Sequence, residues 1–98
     1  MPIAIDEYVI DSLMRDLVAH DKRPSAFLVY LHLYRRTVGE ARASVHQSHQ
    51  QIADATGLSK SAVQGAIRLL LRRRLLHSRQ ASPTTTPEYR VQRPWSDS

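Results

Sequence analysis

The sequence predicts a mainly α domain closed by a small β-hairpin. Three observations carry this. Two stretches in the first 40 residues repeat apolar side chains at helical spacing. A central run at 48–71, SHQQIADATGLSKSAVQGAIRLLL, holds two more helical patterns joined by Gly57-Leu58-Ser59. Beyond it, two short alternating segments at 75–79 and 88–91 flank a tip of sequence ASPTTTP.

The chain has 98 residues, the size of one domain with one core. We divide it into an N-terminal helix at 1–22, a core unit at 24–93 and a tail at 94–98. Lys and Arg outnumber Asp and Glu by 14 to 9, and the imbalance is local. Residues 1–21 hold four Asp, one Glu and one Arg, whereas 57–80 hold Lys60, Arg68, Arg72, Arg73, Arg74 and Arg79 with no acid. A basic stretch without local acids points to a polyanionic partner or to a solvated surface that keeps the protein soluble, and composition weighs these about evenly. Cys is absent, which excludes disulfides and thiolate metal sites. No apolar run approaches the ~20 residues of a membrane span. The N-terminus lacks the basic-then-apolar pattern of a secretory signal, so a cytoplasmic protein without membrane contact is expected. There is no internal repeat.

The elements follow in order. At 6–20, Ile10, Leu13, Met14, Leu17 and Val18 fall on one helical stripe, with Asp6 and Glu7 at the end where the helix dipole favours acids. Pro24 breaks the chain and suits a first helical position. The helix expected at 24–38 is apolar nearly all round, and Gly39 is expected to stop it in a left-handed conformation. So much apolar surface is hard to cover in a small domain. A homodimer joined through helices 6–20 and 24–38 is therefore expected, the alternative being a monomer in which the first helix covers the second. A weak strand signal follows at 43–46.

Ser48 and Gln51 fit a capping box, which opens the next helix. Gly57 suits its left-handed end, Leu58 fills the space between the two helices, and Ser59 caps the last helix. Ala53 is small where those helices approach. Placed on a wheel at ~100° per residue, positions 60–72 separate into two faces. Val63, Ala66, Ile67 and Leu70 lie on one, with Leu71 at its margin. Ser61, Gln64, Gly65, Arg68 and Arg72 lie on the other, with Lys60 at its flank. The second face offers what duplex DNA readout needs: Arg for guanine, Gln for adenine, and Ser, Lys and helix N-termini for phosphate. Gly65 either lets the backbone come close to DNA or is incidental.

The segment IADATGLSKSAVQGAIRLLLRRRLL resembles the helix-turn-helix core of bacterial winged-helix DNA-binding proteins. The shared pattern is a small residue, Gly-Leu-Ser, Ser-x-Val and an aliphatic pair. With PSAFLVYLHLYRRTVG as the leading helix, it extends over about residues 25–93. Regulators of the MarR or GntR type and the N-terminal domains of plasmid and phage replication proteins are similar. The resemblance implies a winged helix-turn-helix with an extra N-terminal helix, in the order helix–strand–helix–helix–strand–strand. It also implies that Lys60, Ser61, Gln64 and Arg68 are recognition-helix contacts. Two departures stand out. Arg74 occupies a position where such proteins often have Gly, so the helix is expected to end differently, a turn later. The hairpin tip carries no Lys or Arg. Thr84, Thr85 and Thr86 are left as phosphate donors, flanked by Arg79 and Arg90, unless the two prolines simply stiffen a solvent loop. In the hairpin, Tyr89 and Val91 are expected to point inward against Leu76.

The expected DNA-binding set is Ser48, Ser59, Lys60, Ser61, Gln64, Arg68, Arg72, Arg79 and Thr85. The lone Trp95 is expected to cover apolar surface rather than stack on a base. His46 and His49 have metal-like spacing but lack further ligands, so no metal site or cofactor is expected. No catalytic set appears, and no effector pocket is readable. The expected function is sequence-specific double-stranded DNA binding by a transcription regulator. A replication accessory or initiator role is the alternative within that class, and a winged-helix protein-interaction module the alternative outside it.

Overall fold

A computed structural model describes residues 2–96; Met1 and the last two residues of the expected tail lie outside the described residues. Four helical segments and one three-stranded antiparallel sheet make an α+β domain. The N-terminal helical run covers residues 7–20 and includes two π-helical turns, Val9–Leu13 and Asp16–His20. Helix α1 is Pro24–Arg36, α2 is His49–Thr56 and α3 is Lys60–Arg72. The strands are β1 Val45–His46, β2 Leu76–Arg79 and β3 Glu88–Val91, in the order β1-β3-β2. No described helix is long and apolar enough to cross a membrane.

The N-terminal run departs from the expected stripe. Its mixed α and π winding brings the repeat close to about four residues per turn, so positions four apart stay in line. Val9, Leu13 and Leu17 form the buried line. Ile10, Met14 and Val18 form a second line beside it and remain 40–44% exposed.

Helix α1 is the centre of the core. Ala26, Val29, Tyr30 and Leu33 are fully buried against α2, α3, β3 and the N-terminal run. The chain itself thus covers most of the apolar girth that suggested a partner, and Leu28 is the one large apolar residue of α1 left exposed. The two buried phenols find partners at their tips, as buried tyrosines generally must. Tyr30 donates to the Gln92 carbonyl at 2.9 Å, and the Tyr34 hydroxyl accepts from the Asp6 amide at 3.1 Å. Burial pushes the Tyr30 phenol far above its ordinary pKa, so it stays a donor. Trp95 lies on the same domain: it stacks on Tyr8 with ring centroids 4.6 Å apart and donates to the Asp6 carboxylate at 3.1 Å. Arg93 reaches the same carboxylate at 3.3 Å. The Trp95 hydrogen bond first, and Arg93 after it, hold the Asp6 carboxyl below its usual range.

Two helix ends differ from expectation. Helix α1 stops at Arg36, and a 3-10 turn at Val38–Glu40 follows. Its left-handed residue is Ala41, with φ of 54°, not Gly39. Gly39 serves packing instead, because a Cβ there would lie 3.1 Å from Ile3 Cγ2. Helix α3 does not run on past Arg72. Arg74 itself takes the left-handed conformation, φ 59°, that glycine usually fills. The Leu75 amide then donates to the Leu70 carbonyl at 2.9 Å and the Arg74 amide to Leu71 at 3.1 Å. This pair of bonds satisfies carbonyls the helix end would orphan.

A Cβ in the left-handed region costs on the order of 1 kcal/mol. Arg74→Gly is therefore expected to raise stability by about 1 kcal/mol, seen as a higher urea midpoint at unchanged slope. A lower midpoint would show that the arginine side chain makes a stabilising contact that outweighs its backbone strain.

Candidate nucleic-acid interface

The two helices at the centre of the site are fixed by local chemistry. The Ser48 hydroxyl accepts from the Gln51 amide at 3.1 Å, and the Gln51 side chain accepts from the Ser48 amide at 2.8 Å, which completes the capping box. Such a cap contributes about 1 kcal/mol. Gly57 ends α2 in the left-handed region, φ 79°, with no atom near an added Cβ, so its role is conformational. Leu58 packs into the core, and the Ser59 hydroxyl accepts from the Ala62 amide at 3.1 Å to start α3. Ala53, in α2, is buried.

Helix α3 buries Val63, Ala66, Ile67 and Leu70, as the wheel predicts, and Leu69 besides. Lys60, Ser61, Arg68 and Arg72 are exposed on its far side, with Gln64 half-buried among them. Gly65 does not face open solvent. It is buried beneath Arg23, whose Nη1 would stand 2.5 Å from an added Cβ.

A groove of about 680 Å³ runs between the start of α2, the outer face of α3 and one face of the β2–β3 hairpin. Ile67, Leu71 and Tyr89 supply its apolar lining; Ser48, Lys60, Gln64 and Arg68 contribute polar groups. No carboxylate lines it. The structure thus brings four of the nine expected site residues to one concavity. Ser59 and Ser61 stand at the start of α3, their hydroxyls 3.4 Å apart, and Arg72 lies at its far end.

The hairpin contributes differently than expected. Leu76 pairs with Val91 and Ser78 with Tyr89, and Leu76 and Tyr89 are buried with Val91 packed against them. Side chains alternate along a strand. Ser78 therefore joins the groove while His77 and Arg79 turn to the other side, beside Arg90 and Glu88. Arg79 is thus not part of the α3 surface. The Ser44 hydroxyl at 2.7 Å, and next His46, Arg79 and Arg90, pull the Glu88 carboxyl below its ordinary value. Thr85 is committed within the tip. Its hydroxyl donates to the Ser82 carbonyl at 2.9 Å and accepts from the Ser82 amide at 3.0 Å. That proton is not free for a phosphate. Arg73 is likewise taken, by an ion pair with Asp21 at the end of the N-terminal run.

Five residues near this surface lie outside the expected DNA-binding set. Ser78 and Gln80 follow from counting alternate positions outward from Leu76. His49 and Gln50 lie in the first turn of α2, next to Ser48. Arg23 left no signal, since only the packing of α1 against α3 carries it there. Among the described residues no three His, Asp or Glu side chains converge.

No known protein family, curated protein or solved structure matches this chain.

His49 has its imidazole pKa lowered, first by burial and then by the Lys60 charge. The neutral ring therefore prevails at neutral pH. In an NMR titration His49 is expected to titrate below the ordinary imidazole value, and Lys60→Ala to raise it only part of the way, because burial persists. A His49 that titrates at the ordinary value in the unaltered protein would contradict the packing described here.

Proposed function

We propose that this chain is a winged helix-turn-helix module that binds double-stranded DNA, with α3 as the recognition helix and β2–β3 as the wing. The observation that carries the reading is the outer face of α3. It offers Ser61, Gln64 and Arg68 beside a groove free of carboxylates, on a helix whose opposite face is locked in the core. An α-helix fits the DNA major groove, where Arg68 suits guanine and Gln64 suits adenine. Lys60, Ser61 and the capped start of α2 at Ser48 suit phosphates. The order α1–β1–α2–α3–β2–β3 agrees with that of a winged unit. A cytoplasmic transcription regulator is the role we favour. With Thr85 tied up and Arg79 turned away, the wing has a smaller share than α3.

The test is binding to sites selected from random duplex DNA. Arg68→Ala and Gln64→Ala are each expected to reduce discrimination by about 1–3 kcal/mol per lost base contact. Affinity is expected to fall steeply with salt as phosphate counterions are released. Binding that does not change with salt sinks the proposal.

The exposed line of Ile10, Met14 and Val18, with Leu28, supports a second copy of the chain as its cover. Most soluble oligomers are symmetric. Sedimentation is expected to show a dimer that Met14→Arg dissociates while the fold, followed by circular dichroism, is kept. A monomer at micromolar concentration rules this arrangement out.

A further inference from the structure

Gly65 has a specific neighbour. An added Cβ would stand 2.5 Å from Arg23 Nη1 and 3.9 Å from Arg68 Nη2. Two guanidinium groups from different elements therefore converge over the one residue of α3 that has no side chain. Arg23 comes from the turn before α1, and Arg68 from α3 itself.

Among the described residues neither has an acid to answer it. Among the described residues, Arg35, Arg36 and Arg42 lie within ion-pair distance of Glu40, Arg73 pairs with Asp21, and Arg93 with Asp6. Arg23 and Arg68 form no ion pair. The carboxylate nearest in sequence to Arg23, that of Asp21, is engaged by Arg73 and His20. Like charges brought together without a counter-ion repel, and an anion between them removes the repulsion. Guanidinium forks suit phosphate oxygens in particular.

We propose that Arg23 and Arg68 form a joint phosphate site over Gly65, through which the turn before α1 grips the backbone of the DNA lying along α3. This rests on the DNA-binding reading above and adds to it a residue outside the helix-turn-helix. Gly65 is the floor of the site: its missing side chain is what lets Arg23 lie down on α3. Arg68 then has two partners within reach, a base edge ahead of it and a phosphate shared with Arg23.

A phosphate contact acts on all sequences alike, and its loss lowers the salt dependence. The test compares affinity for a random-sequence duplex and for a selected site over a series of salt concentrations. Arg23→Gln is expected to weaken both by the same factor and to lower the slope of log affinity against log salt by about one. Gly65→Ala, which removes no charge, is expected to produce a similar loss by displacing Arg23. Arg36→Gln, at an arginine held by Glu40, is the control and is expected to leave the slope unchanged. If Gly65→Ala does not fold, Arg23→Gln still decides. An unchanged slope in Arg23→Gln, with binding retained, overturns the phosphate site and leaves the DNA-binding reading standing. A loss confined to the selected site also overturns it, since Arg23 then touches a base. Absence of salt-dependent binding by the unaltered protein overturns both readings together.

Discussion

The burial of α1 is the constraint on which the other elements depend. Ala26, Val29, Tyr30 and Leu33 line one face of the helix and are fully buried, so each element packed on that face must supply an apolar surface. Helix α3 supplies Val63, Ala66 and Leu70, and doing so turns Lys60, Ser61 and Arg68 outward. The polar face of α3 is thus a consequence of its fit to α1. At a single core position of this kind, truncating a leucine to alanine costs about 2–5 kcal/mol, more than any of the caps that start and stop the helices. The caps set where each helix begins; α1 sets how it is rotated.

Local chemistry was the legible part. Ser48 with Gln51, Gly57 and Ser59 each act within a few residues, and all behave as their positions predict. The two faces of α3 and the inward line of Leu76 and Tyr89 follow from the periods of helix and strand. Failures came where a residue type was taken as a proxy for a conformation. Gly39 looked like a helix stop, yet Ala41 and Arg74 carry the left-handed backbone. The α-helical period puts Ile10, Met14 and Val18 on the core stripe of the N-terminal run, and the π turns move them off it. Long-range pairing was out of reach altogether. Nothing local says that Asp21 neutralises Arg73, 52 residues away, or that Arg23 lies on Gly65.

That pairing also refines the meaning of the basic stretch. Six cations stand at 57–80 with no acid among them in sequence. In three dimensions the charges sort themselves. Arg73 is neutralised from the N-terminal run, and Arg79 sits across the hairpin beside Glu88. Lys60 and Arg68 remain at the groove, where no carboxylate answers them. The fold therefore concentrates a diffuse sequence signal onto one helix and its immediate surroundings.

The clasp of Asp6 with Arg93 and Trp95 joins parts of the chain 87 and 89 residues apart. Ends of a domain ordinarily fray independently, each at little cost. Here the clasp links them. When Trp95 lifts off Tyr8, the Asp6 carboxylate loses one of its two donors, while the Asp6 amide keeps its bond to Tyr34. Segments far apart in the sequence are thus closed together over the two tyrosines of α1.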